Sequence, residues 1–341
     1  MKSASVLARR ITQLTSTLLV VAGIAPAQAE AVKIGIVKVT GLGAAFVAQD
    51  KNYFRDEGLD AEFVYFDAAQ PVAVAAVSGA VDFGVAAVTG GFYNLAAQGA
   101  LKIIAPAAHE FPGFHSQSIV AARHAYEAGL ISVKDIAGHA LAVTGSGGPP
   151  VYVVGGLLAE KYGFDFKQIK LVPLQTIPNI VTSVAGGQTD FTLISLTSAL
   201  VPLLQRGDVK LLGWVGDEAP WQFAIVFVPT ALANGNHMLV EHFLHAYRKG
   251  TRDIHDAFAG PGETRADQPT AEAILAILAK YTDQTTEEAT LSVPYFDRDA
   301  RLDVKDILHQ VSWYKSQGAV RSDVDGAAMI DGRYVTPLPE H

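Results

Sequence analysis

Short apolar segments separated by polar or glycine-rich breaks recur along residues 32–107 and again along 140–214. Val32, Ile34 and Ile36 recur at every second position, which predicts a strand over Val32–Lys38, turned by Thr40-Gly41-Leu42-Gly43. A helix over Ala44–Phe54 ends near Gly58, and a strand is expected over Ala61–Phe66. Pro71 suits the first turn of a helix over Pro71–Ser78. Asp82–Ala87 is a short apolar run of the kind buried inside parallel sheets. A helix over Thr89–Gln98 and a strand over Lys102–Ala107 complete this stretch.

The same order returns in the second stretch. Strands are expected at Ala140–Val143, Ile169–Pro173, Asp190–Ile194 and Val209–Trp214, with helices over Val151–Tyr162, Pro178–Ala185 and Thr197–Gln205 between them. Strands alternating with helices imply parallel sheets joined by right-handed crossovers. Residue identity supports a repeat as well. Ser78-Gly79-Ala80-Val81-Asp82-Phe83-Gly84-Val85 is matched by Gly186-Gly187-Gln188-Thr189-Asp190-Phe191-Thr192-Leu193, about 108 residues later. Each Asp is followed after twenty residues by a Lys, Lys102 or Lys210, that leads into an apolar strand. Two similar α/β lobes follow, and a ligand between facing lobes normally lies in the cleft they share.

His109–His115 and Gly216–Trp221 break the pattern and read as crossovers between lobes. Beyond them come a strand over Phe223–Val228 and helices over Met238–Phe258, Ala271–Tyr281 and Val304–Gly318. The expected organisation is a leader at 1–29, a first lobe begun at 30–115, a second lobe at 116–221, and a return to the first lobe over 222–341.

The leader has the form of a secretory signal: Lys2, Arg9 and Arg10, an apolar run from Leu18 to Ile24, then Pro26 and Ala27-Gln28-Ala29. Arg9-Arg10 leaves the general and twin-arginine routes both open. With no cysteine in the chain there is no lipid-anchor site and no disulfide. A soluble periplasmic protein is therefore expected. Loss of residues 1–29 removes three basic residues and no acidic one, taking the net charge from −8 to about −11. That balance argues against nucleic acid and anionic membranes as partners.

In open α/β sheets ligands bind beyond the carboxyl ends of the strands, so the loops there are the candidate site. Thr40, Gly41 and Leu42 place a hydroxyl and backbone N–H groups before a helix. Ser146-Gly147-Gly148, ahead of Pro149-Pro150, has the makings of a backbone clamp for an acidic group or of a plain helix cap. Thr89-Gly90 and its repeat-equivalent Ser195–Ser198 offer hydroxyls that bind ligand or cap helices, and Gln70 is a candidate donor. Glu218 and Trp221 in the second crossover, with Phe111 and Phe114 in the first, either cover a flat ring or pack the hinge.

Chemistry beyond binding finds little to stand on. Ser146 lies in Thr-Gly-Ser-Gly-Gly, without the nucleophile-elbow pattern, and no His-Glu-x-x-His is present. His237, His242 and His245 read as a solvated helix face, since a zinc site would need carboxylates brought from elsewhere. No catalytic residue, metal or cofactor is assigned.

Several segments together resemble the periplasmic substrate-binding proteins of ABC importers that handle alkanesulfonates, taurine, nitrate and thiamine-pyrimidine precursors. They are Ile34-Gly35-Ile36, Lys51-Asn52-Tyr53-Phe54-Arg55-Asp56-Glu57-Gly58-Leu59, the two repeat motifs, Val133-Lys134-Asp135-Ile136-Ala137-Gly138 and Trp313-Tyr314-Lys315-Ser316-Gln317-Gly318. The resemblance runs from about Ala31 to Tyr334. It implies a two-lobed periplasmic-binding-protein fold of type II, each lobe a mainly parallel sheet flanked by helices. It also implies a monomer that closes on one small ligand and delivers it to an inner-membrane permease. Ligand-facing loops map by position onto Thr40–Gly43, Gln70, Thr89–Gly91, Ser146–Gly148, Thr176–Asn179 and Glu218–Trp221, which adds Asn179 to the candidates. An aromatic or heterocyclic carboxylate is the favoured ligand. The alternatives are an alkanesulfonate, taurine, nitrate or a pyrimidine precursor, or a sensing role with a membrane partner. The related pyrimidine synthase depends on a cysteine-rich segment, which this chain lacks.

Overall fold

The computed structural model describes residues 29–339, so the leader, apart from its last residue, lies outside the described residues. Four strands open the chain: β1 (Glu30–Val37), β2 (Leu59–Phe66), β3 (Phe83–Ala87) and β4 (Leu101–Pro106). A first crossover carries β5 (His109–Glu110) into β6 (Gln117–Ala122), β7 (Ala140–Val143), β8 (Lys170–Pro173), β9 (Phe191–Ser195) and β10 (Val209–Trp214). The chain returns through β11 (Trp221–Gln222) to β12 (Ala224–Pro229), with β13 (Arg301–Leu302) and β14 (Thr336–Pro337) near the end.

Two five-stranded sheets result, in the orders β2-β1-β3-β12-β4 and β8-β7-β9-β6-β10. They are built alike. β1 runs parallel to β2 and β3, and β7 runs parallel to β8 and β9. One strand opposes the rest in each sheet: β12 is antiparallel to β3 and β4, and β6 to β9 and β10. Each opposing strand is the first to follow a crossover. Each sheet is therefore mainly parallel, as expected, with four strands running one way and one the other.

β6 is the strand that the sequence pattern does not mark. All six of its residues are buried, so it has no inside–outside alternation to read. A short continuous apolar run is ambiguous by periodicity alone. The crossovers are also more ordered than their composition predicts. β5 and β11 pair antiparallel, setting Trp221 opposite Glu110 and Gln222 opposite His109.

The repeat motif has a structural job that is the same in both lobes. Asp82 Oδ2 accepts from the Lys33 N–H at 2.8 Å, and the Asp82 N–H donates to the Lys33 carbonyl at 2.9 Å. Asp190 does the same to Ala140, at 2.7 Å and 3.0 Å. Each Asp therefore clips the strand that follows it to the central parallel strand of its own sheet. Gly79 and Gly187, at φ +75° and +70°, take the left-handed turn after the preceding helix, a conformation that disfavours a Cβ.

The C-terminal third packs on the first sheet. Helix His237–Phe258 crosses helix Gly43–Asp50 so closely that a Cβ on Gly250 would lie 2.2 Å from the Ala44 carbonyl oxygen. The Asp331 N–H donates to the Ile103 carbonyl in β4 at 2.9 Å. Helix Val304–Ser316 reaches across to the second lobe. There Trp313 lies over Gly155 and Gly156 in the π-helical segment Val153–Leu158, where a Cβ on Gly155 would come within 2.5 Å of the indole. No helix among the described residues is long and apolar enough to cross a membrane.

Candidate functional site

The carboxyl ends of β1, β2 and β3 face those of β7, β8 and β9, and a cavity lies between them. From the first lobe Val37, Val39, Leu42, Ala68 and Ala87 form one wall. The opposite wall is Pro149, Pro150, Ile177, Ile180, Leu193 and Ile194, and Phe223 stands where the chain re-enters the first lobe. The polar lining side chains are Gln117, Thr144 and Ser195, and none of the lining residues is charged. The cavity has a volume of about 70 Å³. One water needs roughly 10–15 Å³ of such space, so several water-sized groups fit, the scale of a single ring.

Next to the cavity, sharing Ala68 and Thr144 with it, is a wider mouth of about 350 Å³. Gln70, Thr89, Gly91, Gly145, Gly147 and Gly148 line it. Thr89 caps helix Gly90–Ala97: its Oγ1 accepts from the Phe92 N–H at 2.9 Å and donates to Gln70 Oε1 at 2.6 Å. Gln70 lies over Gly91, where any Cβ would meet the amide at 2.3 Å.

The lobes touch at this mouth. The Gly90 N–H donates to the Gly147 carbonyl at 2.8 Å, and the Ile177 N–H donates to the Asp67 carbonyl at 3.2 Å. Tyr314, fully buried on helix Val304–Ser316, donates its hydroxyl toward the Gly147 and Gly148 carbonyls at 3.1 and 3.2 Å. Within the loop the Gly148 N–H is taken by the Gly145 carbonyl at 2.9 Å. The glycine loop thus uses carbonyls to hold the lobes together, alongside any N–H groups it turns to the mouth.

Other candidates fall into three groups. Leu42 lines the cavity, and Gln70, Thr89, Gly147 and Gly148 line the mouth, with Gly90 at the bridge between lobes. Thr40 and Gly41 lie just behind the wall: Thr40 Oγ1 is 3.0 Å from Ser292 Oγ, and the Gly41 carbonyl accepts from the Ala108 N–H at 3.3 Å. Ser146, Asn179, Glu218 and Trp221 line neither space. Ser146 is exposed. Asn179 is exposed and donates to the Leu174 carbonyl at 2.9 Å. Glu218 is held by Lys161 at 2.8 Å and by the Tyr162 hydroxyl; burial opposes its charge, but these partners keep its pKa below the usual carboxylate value.

Trp221 is buried in the hinge, its ring centroid 5.4 Å from that of Tyr152 and 5.9 Å from that of Phe223. Glu110, opposite it, is fully buried with neither carboxyl oxygen hydrogen-bonded among the described residues. Burial pushes its pKa up to about 8, although Ser116 and the N–H groups of Gln117 and Gly216 pull the other way from beyond good hydrogen-bond geometry. Asp306, on the helix that straps the lobes, is raised by burial to about 6 while accepting from Gln310, the Gln222 N–H and Tyr152.

Gln117, the apolar wall at Ile180 and Leu193, and Phe223 are the site residues that sequence reasoning missed. Gln117 lies between Ser116 and Ser118 at the entrance of β6, and its only signal is a short polar run ahead of the apolar stretch Ile119–Ala122. Among the described residues no group of three or more His, Asp or Glu side chains is arranged to hold a metal ion.

Comparison with known families and structures agrees with this architecture. A family model described as NMT1/THI5 like matches residues 39–261, and the chain belongs to that family. The alkanesulfonate-binding protein from Xanthomonas axonopodis pv. citri, solved bound to MOPS, is 16% identical with a TM-score of 0.69, over 88% of this chain and 98% of that one. The periplasmic aliphatic sulphonate-binding protein of Escherichia coli is 18% identical with a TM-score of 0.66, over 92% and 94%. The periplasmic nitrate-binding protein from Synechocystis PCC 6803 is 12% identical with a TM-score of 0.67, over 89% and 85%. At these identities the likeness establishes the periplasmic-binding-protein fold. No curated protein sequence matches the chain.

Proposed function

We propose that this member of the NMT1/THI5-like family is an exported binding protein that captures a small organic solute between its lobes and delivers it to the permease of an ABC importer. The observation that carries the reading is the uncharged, largely apolar cavity at the carboxyl ends of both sheets, continuous with a glycine-lined mouth where Gln70 and Thr89 offer side-chain polar groups. Such a pair of spaces suits a ring in the cavity and an acidic group in the mouth, so the solute is an aromatic or heterocyclic carboxylate. Binding works by population shift: a ligand that touches both walls favours the arrangement in which Gly90 meets Gly147. The role is binding and not turnover, in the periplasm, without a cofactor.

An alkanesulfonate is the second reading, supported by the likeness to the Xanthomonas and Escherichia coli proteins. Nitrate suits the cavity less well, because it has no apolar part to gain from hydrocarbon walls and gives up its water to a lining that carries no charge. Thermal-shift and calorimetric titration with benzoate, nicotinate, ethanesulfonate, taurine and nitrate separate these. Saturable binding of the ring acids alone is the expected result. Binding of the sulfonates alone overturns the carboxylate assignment, and binding of none overturns both. Loss of uptake of the bound solute in a deletion strain distinguishes transport from sensing.

A further inference from the structure

Gln117 is 4% exposed, lines the cavity from the second lobe, and has its Oε1 buried with no hydrogen-bond partner among the described residues. In the β6–β9 ladder it stands directly opposite Ser195, also 4% exposed and also in the lining. Directly opposed side chains lie on one face of a sheet, with Cβ atoms roughly 4.5–5.5 Å apart. The second lobe therefore presents an amide and a hydroxyl side by side to a cavity that is otherwise mostly hydrocarbon. A buried carbonyl oxygen without a donor is costly, and most are paired in native proteins. Leu193 and Phe223 in the lining have no side-chain donor to give it, and the hydroxyl of the opposed Ser195 makes no hydrogen bond to it.

We infer that Gln117 is the specificity-determining residue of the cleft and that the ligand brings it a hydrogen-bond donor, a ring hydroxyl or a heterocyclic N–H. The inference rests on the reading of the cleft as a solute site and narrows it. Gln117 lines the cavity and not the mouth, whereas Gln70 and Gly147 line the mouth and not the cavity. A ligand spanning both therefore carries its acidic group at one end and its donor at the other. Para-substituted ring acids have this shape. A ring acid without the donor leaves the amide oxygen unpaired and is selected against, even when its size is right.

The test compares 4-hydroxybenzoate with 4-fluorobenzoate, which are close in size and differ in the donor, on the wild-type protein and on Gln117→Leu. Calorimetry is expected to give a preference for the hydroxy acid on the order of tenfold to a hundredfold in the wild type. Gln117→Leu should bring that ratio close to one while retaining 4-fluorobenzoate. Equal affinity of the wild type for both acids leaves the binding reading intact and overturns the role of Gln117. A preference that survives in Gln117→Leu overturns it too. Binding of neither acid counts against the carboxylate reading itself, and the role of Gln117 is then decided by the melting temperature of the protein without added ligand. Leucine in place of an amide with no protein partner should leave that temperature unchanged or raise it; a fall of several degrees means the amide is already satisfied and ends the proposal.

Discussion

The backbone N–H of Gly90 donates to the carbonyl of Gly147 at 2.8 Å, and through this pair the first lobe is tied to the second at the mouth of the cleft. The backbones meet with almost nothing between them: a Cβ on Gly147 would sit 3.4 Å from both the Cα and the nitrogen of Gly90. That distance is ordinary contact for one methyl group, but it leaves no room for a branched side chain. Gly147→Ala is therefore expected to bind nearly as the wild type does, and Gly147→Val to lose tenfold or more in affinity, about 1.4 kcal/mol. Titration of folded protein checks this, with small-angle scattering to read whether the lobes still approach. Equal affinity in both variants excludes the glycine bridge from closure.

Tyr314 supports the same loop from behind, its hydroxyl directed at the carbonyls of Gly147 and Gly148. Tyr314→Phe keeps the buried ring and removes this donor from both oxygens. Each carbonyl keeps a backbone donor, Gly90 N–H at Gly147 and Val151 N–H at Gly148, so a loss of about 0.5–1.5 kcal/mol in denaturant stability is expected. Urea unfolding monitored by circular dichroism measures it, and an unchanged midpoint would show that the backbone donors alone suffice.

Glu110, in the first crossover, is expected to make stability depend on pH. Its folded pKa of about 8 lies above the ordinary carboxylate value, so the folded state holds a proton that the unfolded state gives up. Its contribution to stability is fully present below about pH 4.5 and is lost as pH rises through about 8. Asp306, raised to about 6, acts with the same sign over a lower window. Glu110→Gln should flatten the decline between about pH 4.5 and 8 and stabilise the protein at pH 9 by a few kcal/mol, on the order of the shift itself. Melting curves across that range decide it; parallel curves for wild type and variant remove Glu110 as the cause.

Trp221 lies in the hinge, packed with Tyr152 and Phe223 and outside the lining of both cleft spaces. Trp221→Ala is expected to cost about 3–5 kcal/mol of stability. Aromatic and aliphatic acids should then weaken by the same factor. A selective loss of the aromatic ones, in calorimetry at a temperature where the variant is folded, would place the indole against the ligand instead.

Much of the architecture is written locally. The glycine after each helix and the Asp immediately before the next strand act through their immediate neighbours, so the 78–85 and 186–193 segments betray the repeat without any knowledge of contacts. Asp82 and Asp190 carry the same two backbone hydrogen bonds because each only needs the adjacent strand of its own sheet. The loops at the strand ends were legible for the same reason: sheet direction alone brings Leu42, Gln70, Thr89 and Gly147 to the cleft.

Long-range assembly decided the rest. Which lobe receives β6 and β12, and in which direction, depends on the crossovers and on pairing between β5 and β11, residues more than a hundred positions apart. A buried strand with both faces covered has no polar alternation to announce it, so the placement of Gln117 opposite Ser195 could not be read along the chain. The same holds for Gly147 and Trp221. A glycine backbone offers an N–H and a carbonyl equally, and an indole serves a ligand or a hinge equally well. The sequence determined two α/β lobes with loops aimed at a common cleft, because helices, turns and strand order answer to near neighbours. Only the tertiary structure turned the Gly147 carbonyl to Gly90, sank Trp221 against Tyr152 and faced Gln117 into the cavity, because each needs a partner supplied from a distant part of the chain.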